Sequence, residues 1–333
     1  YINTVITFEA VVRNDKQKKY IQINSVLKNE LLEKDKIKNS NQKRSSPACI
    51  IYTSGTGGNP KGVILSHGGI LNNLEGANEI IKPLIGKKPI FLTWLPLSHS
   101  YEHTVQFVQI SVGAKIFYAE KIEKLLDNIS ESQPTIMTAV PRFYQNLYNK
   151  ININMKKATG FKRYLIQKTI ELGKKTLLKQ KMSFFEKLMN FLLNLLVRKK
   201  VKKQFGGRLK AFVSGGGALD QEIGEFLNAL GLPTLQGYGL TETSPVVSCN
   251  PIHRIKIETV GPPFKGNQVK IADDGEILVK GENVMLGYWN KEEDTKKAIK
   301  DGWLYTGDIG EINKEDGYLK ITDRKKDIIV NAG

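Results

Sequence analysis

Cysteine is almost absent. Cys49 and Cys249 stand far apart in a 333-residue chain, with no spacing that suits a disulfide framework or a zinc site, and this usage fits a reducing compartment. Long apolar runs are missing too. The most apolar stretch, Phe184 to Val197, has 14 residues and is interrupted by Glu186, Lys187, Asn190 and Asn194, short of the roughly 20 that a membrane span requires. No secretory leader opens the chain, and its first residue is Tyr1 rather than methionine, so the sequence reads as a fragment of a longer protein. Acidic residues are outnumbered, and the net charge of +17 is concentrated in one place. Eighteen lysines and arginines fall between Lys150 and Lys210, against Glu171 and Glu186 alone, so a basic local element carries the excess. No recognised DNA- or RNA-binding motif accompanies that charge, which argues against nucleic acid as a partner.

What is present is the composition of a globular protein able to bury a large core, and the length suggests about two domains. The alternating runs Val5–Phe8 and Tyr20–Ile23 read as sheet pieces entered mid-domain, followed by a polar surface connection over Asn29–Ser46. Ala48–Tyr52 is expected to form a short buried strand ending at Thr53, and Ser66 to cap a helix running through Leu71, Leu74 and Ile80, weakened by its glycines. Further on, Phe91–Leu95, Ala114–Tyr118, Thr135–Val140 and Leu209–Val213 read as strands, with helical patterns between several of them. After the last, Ile223, Phe226, Leu227 and Leu230 recur at i, i+3, i+4 and i+7. This alternation predicts an α/β fold, a largely parallel sheet flanked by helices. Past Asn250 the texture changes to short strands and Gly turns, as in Gly275–Val279 and Gly317–Ile321, which indicates a smaller β-rich subdomain.

The sharpest local signal is Thr53-Ser54-Gly55-Thr56-Gly57-Gly58-Asn59-Pro60-Lys61-Gly62. Glycines let backbone N–H groups converge on an anion, hydroxyls add donors, and lysine adds charge. The stretch is not a Walker A loop, because Pro60 and Gly62 flank Lys61 where that loop needs glycine and a metal-binding hydroxyl. A second signal is Gln236-Gly237-Tyr238-Gly239-Leu240-Thr241-Glu242-Thr243-Ser244-Pro245. Gly237 and Gly239 would let a flat base approach the backbone and stack on Tyr238, and Glu242 is an oxygen ligand suited to Mg²⁺. In Gly302–Gly310, Asp308 sits on a Gly-bounded turn and can accept two hydrogen bonds from vicinal hydroxyls, as a ribose presents. Three weaker stretches also have plain structural readings. Leu95-Pro96-Leu97-Ser98-His99-Ser100-Tyr101-Glu102 could simply pack or cap with its histidine, Ser214–Ala218 could be a tight strand–helix turn, and Asp323-Arg324-Lys325-Lys326-Asp327 a charged surface turn.

Taken together, in this order and at these spacings, the motifs from Ala48 to Gly333 resemble the adenylate-forming superfamily of acyl-CoA synthetases, luciferases and peptide-synthetase adenylation domains. Leu-Pro-Leu-Ser-His followed by Tyr-Glu looks most like the long-chain fatty acyl-CoA synthetase branch. The usual threonine is replaced by Gly57. The resemblance implies that residues 1–322 are the large domain, N-terminally incomplete, with a basic helical insertion over about 150–208, and that 323–333 are a hinge and the stub of a C-terminal lid. It implies that Thr53, Ser54, Gly55, Thr56, Gly57, Gly58 and Lys61 hold ATP phosphates, and that Thr53 and Glu242 share the metal. Gly216, Gly217, Gly237, Tyr238, Gly239 and Thr241 would bind the adenylate, Asp308 its ribose and Arg324 the nucleotide, with Lys326 at the pivot. Lys61, Thr241, Glu242 and His99 are the implied catalytic residues, His99 lying beside the reacting carboxylate.

The implied reaction joins a long-chain fatty acid to ATP as acyl-adenylate and then to coenzyme A, with Mg²⁺ as cofactor. The alternatives are an adenylating ligase for another carboxylic acid or a carrier-protein acceptor, and a non-catalytic nucleotide- or membrane-binding fragment. The apolar run and its following Arg198-Lys199-Lys200-Val201-Lys202-Lys203 suit either a helix lying on an anionic membrane over 184–203 or a packed hairpin with a solvated lysine face. The long-chain branch carries an insertion of this kind, which favours a cytoplasmic protein held peripherally at the inner membrane face. The lysine that the family carries on its lid has no counterpart here, so the chain alone is expected to make little acyl-adenylate and essentially no acyl-CoA.

Overall fold

Four-residue apolar runs alternating with amphipathic segments become a parallel sheet, and the polar turns around them set where each strand stops. A computed structural model describes residues 42–53 and 59–325 and, by backbone alone, residues 4–7 and 19–22. Ser54, Gly55, Thr56, Gly57 and Gly58 of the phosphate stretch, and Lys326 of the hinge, lie outside the described residues. The chain divides into two compact units, Tyr1–Lys43 and Arg44–Gly333. In the first, β1 (Thr4–Thr7) and β2 (Lys19–Gln22) pair in parallel.

The second unit opens with β3 (Pro47–Thr53) and β4 (Lys61–Ser66), an antiparallel hairpin. Here the structure departs from the expected buried strand. Ile51 is buried, but Ile50 and Tyr52 are exposed, because only the face bearing Ile51 packs on a core, with Val63, Leu65 and Met285, and the opposite face meets solvent. Ser66 caps α1 (His67–Ile81) as expected, its Oγ accepting from the Gly69 N–H at 2.9 Å. The α1 glycines are sites of close approach. A Cβ at Gly76 would lie 2.2 Å from the Phe264 ring.

There follow β5 (Ile90–Thr93), α2 (Ser100–Ser111), β6 (Lys115–Tyr118), α3 (Leu125–Ser132) and β7 (Ile136–Ala139). Helices α4 (Pro141–Lys157), α5 (Gly160–Leu177), α6 (Phe184–Leu193) and α7 (Lys199–Gln204) intervene before β8 (Ala211–Ser214). Then come α8 (Gln221–Ala229), β9 (Thr234–Gly239) and β10 (Val246–Cys249). The six strands lie in the order β10-β9-β8-β7-β5-β6, parallel except for β10. Met137, Tyr144, Phe212 and Leu227 anchor one core beneath this sheet, and Phe91, Val108, Leu235 and Phe264 a second.

The β-rich part comprises β11 (Gln268–Ile271), β12 (Glu276–Lys280), β13 (Gly287–Tyr288), α9 (Glu292–Ala298), β14 (Ile299–Lys300), β15 (Trp303–Ile312) and β16 (Leu319–Arg324). Five of these strands form an antiparallel sheet, while β13 joins the β3–β4 hairpin.

The basic helices are built in rather than merely attached. Ser183 opens α6 with a reciprocal capping box to Glu186. Just past α6, the nearly buried Arg198 donates to the carbonyls of Ala229 at 2.7 Å, Thr169 at 3.0 Å and Asn190 at 3.2 Å. One guanidinium thereby ties α5, α6 and α8 together. Arg198→Ala leaves three carbonyls short of a donor and should cost roughly 3 kcal/mol of unfolding stability. Arg198→Lys should recover little, because an ammonium cannot span the same fork. Urea unfolding midpoints check this, and a midpoint unchanged in Arg198→Ala would remove the staple.

Candidate active site

Strands β5, β7, β8 and β9 all end near one cavity, where an open α/β sheet binds its ligands. The cavity holds about 770 Å³. Thr53, His99, Gly216, Gly217, Gly237, Tyr238, Gly239, Thr241, Glu242, Asp308 and Arg324 all line it, so residues far apart in sequence converge on one cavity. Lys61 is not among the lining residues. Its Nζ pairs with Asp294 at 3.0 Å and sits 5.0 Å from the centre of the Tyr288 ring. As the first residue of β4, it pairs in register with Thr53, so the hairpin holds the two on either side of the phosphate stretch.

The polar end of the cavity is organised by short bonds between elements. Tyr238 donates its hydroxyl to Asp308 Oδ2 at 2.8 Å, and Arg324 Nε lies 3.6 Å from the other carboxylate oxygen. Burial raises the Asp308 carboxyl above its ordinary value, while the Tyr238 hydroxyl and the Arg324 charge oppose that shift. Glu242, on a single helical turn over Thr241–Thr243, accepts from the Tyr288 hydroxyl at 2.8 Å. The Thr241 and Ser100 hydroxyls lie 3.1 Å apart, which ties this turn to the start of α2. His99 caps α2, its Nδ1 accepting from the Tyr101 N–H at 3.2 Å, and it also faces the cavity.

Gly239 lines the cavity and is also required by its protein neighbour, since a Cβ there would lie 1.8 Å from the Pro245 carbonyl oxygen. Gly216 adopts φ +76°, a backbone that favours glycine on its own account.

Where α1 and α2 line the cavity, apolar side chains predominate beside Asn73 and Thr104. Ala77 and Ile80 of α1, Val105 and Val108 of α2, Val246 and Phe264 enclose a lobe between the two helices and the sheet. Cys249 lies in this wall, its thiol pushed up to about 12 by burial. Sequence reasoning missed the lobe, because its residues come from separate elements and read only as core. Tyr288, Asp294 and the nearly buried Glu276 were missed as well. Glu276 accepts from the Gly307 N–H at 2.8 Å and pairs with Lys325 at 2.6 Å, which clamps the end of β16 beside Asp308.

Oxygen donors of this kind fit a divalent cation that arrives with phosphate. Among the described residues no group of three or more His, Cys, Asp or Glu could hold a metal, whereas Mg²⁺ commonly takes one or two carboxylates and completes its shell with substrate oxygens and water.

The profile of the AMP-binding enzyme family matches residues 3–289. A long-chain-fatty-acid–CoA ligase of Mycobacterium bovis is 37% identical over 298 residues, covering 87% of this chain and 48% of that protein. A peroxisomal long chain acyl-CoA synthetase of Arabidopsis thaliana is 35% identical over 316 residues, covering 86% of this chain and 44% of that protein. The chain spans about half the length of the curated relatives it matches. In fold it is similar to o-succinylbenzoate coenzyme A synthetase from Bacillus subtilis in complex with AMP, with TM-score 0.67, 22% identity, and coverage of 98% of this chain and 74% of that chain. ATP-bound MatB from Rhodopseudomonas palustris superposes with TM-score 0.65 at 25% identity, covering 87% of this chain and 50% of that chain.

Behind the α2 end of the cavity lies Glu102, fully buried. Its Oε2 accepts from the Thr138 hydroxyl at 2.9 Å, and Oε1 has no partner among the described residues. Burial pushes its carboxyl from 4.5 up to about 7. The folded state therefore keeps a proton that the unfolded chain loses, and stability should fall as pH rises from about 4.5 to 7, then level off. Glu102→Gln should flatten that slope and gain about 3 kcal/mol at pH 8, at about 1.4 kcal/mol per pKa unit. Denaturant unfolding between pH 5 and pH 8 tests this, and parallel profiles for the two proteins would refute it.

Proposed function

Because the chain belongs to the AMP-binding enzyme family, we propose that the protein activates long-chain fatty acids with ATP and passes them to coenzyme A. The observation that carries this reading is a single cavity with a polar end built on Tyr238, Asp308, Glu242 and Thr53 and an apolar lobe between α1 and α2. That shape suits a molecule with a nucleotide at one end and an acyl chain at the other. In the first half-reaction a carboxylate oxygen attacks the α-phosphorus, the bond to pyrophosphate breaks, and acyl-adenylate forms. In the second, the thiolate of coenzyme A attacks the acyl carbon and AMP leaves.

In this reading each residue has a proposed role. Tyr238 offers its ring face to the adenine while its hydroxyl holds Asp308, whose carboxylate accepts from the ribose hydroxyls. Arg324 adds positive charge beside Asp308. Gly216 and Gly217 edge the adenine, with Gly237 and Gly239 in the strand that carries Tyr238. His99 and Thr241 meet the reacting carboxylate at the junction of the polar and apolar ends. Lys61 and the stretch Ser54–Gly58 hold the triphosphate, aligning it for in-line attack. Thr53 and Glu242 would hold Mg²⁺, which supplies charge neutralisation on the phosphate oxygens when bound. Residues 1–322 serve in this reading as the large domain, and 323–333 as the hinge toward a lid, with Lys326 as pivot.

A second element of the reading is peripheral attachment to an anionic membrane. It is supported by the outer face of α6, where Phe184, Phe185 and Phe191 are 76%, 79% and 60% exposed, and by the exposed lysines Lys199, Lys200 and Lys203 that come shortly after it. Among the described residues no helix is long and apolar enough to cross a membrane, and an interfacial helix needs only such an apolar face with flanking cations. The attachment would be at the cytoplasmic face.

Fatty-acid-dependent exchange of pyrophosphate into ATP, followed by product analysis with coenzyme A or a carrier protein, tests the activity. Assayed in the full-length protein that carries a lid, the expected outcome is acyl-CoA from long-chain acids, with Lys61→Ala slowing exchange on the order of 10²-fold. Exchange driven only by aromatic or amino acids, or acyl transfer only to a carrier protein, would contradict the assignment. Vesicle co-sedimentation tests the attachment. Binding to vesicles containing phosphatidylglycerol should fall with added salt, since exposed charges are screened over about 8–10 Å, and should be lost in Phe184→Ser/Phe185→Ser. Unchanged binding in that double variant would exclude the face.

A further inference from the structure

Tyr288 touches both charged groups that the proposed reaction needs. Its hydroxyl donates to Glu242 Oε1 at 2.8 Å, and its ring face carries Lys61 Nζ at 5.0 Å from the centroid. Lys61 is turned at the same time onto Asp294, at 3.0 Å. The ring is fixed by its own strand, since β13 pairs with β4, and the Tyr288 N–H donates to the Thr295 hydroxyl at 2.9 Å. The turn that bears Glu242 is fixed to the same segment, its carbonyl accepting from the Met285 N–H at 2.8 Å.

We infer that Tyr288 is a positioning residue, holding Glu242 in a metal-ready orientation and keeping it apart from Lys61. The inference rests on the reading of Glu242 as a metal ligand given above. Its physical basis is the difference between a phenol and a cation. A neutral hydroxyl orients a carboxylate without cancelling its charge, so the second oxygen keeps its full affinity for a divalent ion. Were Lys61 to pair with Glu242 instead, each would neutralise the other, and the empty site would lose a metal ligand and a phosphate-binding cation together. The ring face gives Lys61 a favourable resting place, and Asp294 gives it a counter-ion that a triphosphate, with more charge, can displace.

Tyr288→Phe separates the hydroxyl from the ring. ATP binding is measured by calorimetry on the 333-residue chain, once across a Mg²⁺ titration and once in EDTA, with melting temperatures recorded alongside. Tyr288→Phe should weaken Mg²⁺-dependent ATP binding by roughly tenfold, leaving the EDTA value and the melting temperature unchanged. A purely structural role would move all three. Tyr288→His, which returns a donor to the ring edge, should recover Mg²⁺ dependence relative to Tyr288→Phe and provides a second comparison if the Phe variant folds poorly. Glu242→Gln serves as the reference. If it loses Mg²⁺-dependent binding while Tyr288→Phe binds as the unmodified chain does, the positioning role is overturned and the metal reading stands. If Glu242→Gln binds normally, the metal reading itself fails, and the inference falls with it.

Discussion

The hydroxyl of Tyr238 meets Asp308 across 2.8 Å, and through that bond the end of a parallel sheet is joined to an antiparallel one. Tyr238 stands on β9 and Asp308 on β15, so neither sheet can shift without breaking a hydrogen bond to a nearly buried carboxylate. Such a bond is expensive to leave unmade, because an unpaired buried carboxylate bears its whole desolvation cost. The neighbouring contacts reinforce the same seam. Glu276 takes the Gly307 N–H and the Lys325 ammonium, and Arg324 approaches Asp308 from the end of β16. The segment leading to residue 326 is therefore anchored on the wall of the cavity itself.

From that seam the cavity changes character over its length. Near Tyr238 and Glu242 nearly every side chain carries an oxygen or a charge held by a partner on another element. Along α1 and α2 the lining is mostly apolar, with Asn73 and Thr104 engaged by backbone carbonyls, and Gly76 lets Phe264 press against α1. Dry apolar walls strengthen the electrostatics at the polar end, while the apolar lobe rewards a chain that leaves water, at about 0.8 kcal/mol for each buried methylene. A ligand that is anionic and hydrogen-bonding at one end and aliphatic at the other matches both halves at once. Glu102, protonated through most of the acidic range, lets a carboxyl sit behind the first turn of α2 without adding a fixed charge next to the site.

Much of this was legible in the residues. The Ser66 cap, the strands around Phe91, Ile136 and Phe212 and the helix marked by Ile223, Phe226 and Leu227 follow from capping chemistry and periodicity, which are local properties. The polar end of the site was legible for a similar reason, since glycine-flanked Tyr238, Glu242 and Asp308 carry their chemistry in short stretches. Other features depend on what lies across from a residue. Ile50 and Tyr52 look like core residues until the face of β3 opposite Ile51 is seen to meet solvent. At Gly239 the sequence does not reveal that the Pro245 carbonyl lies against it and by itself excludes a side chain. Ala77, Val105 and Phe264 are indistinguishable from ordinary core residues in sequence, because periodicity tells that a face is buried and not whether it meets protein or a cavity. Lys61 shows the same limit, since its pairing with Asp294 joins residues more than 200 positions apart.

In the proposed reaction one cavity holds a nucleotide beside Tyr238 and Asp308 and an aliphatic chain between α1 and α2. A crystal structure of the chain with a hydrolysis-resistant acyl-sulfamoyl adenosine bearing a long alkyl chain tests it most directly. The expected structure has adenine against the Tyr238 ring, both ribose hydroxyls on Asp308, and the alkyl chain lying along Ala77, Ile80, Val105 and Val108. Adenosine bound in that place with the alkyl chain turned out to solvent, or an analogue bound elsewhere, would contradict it.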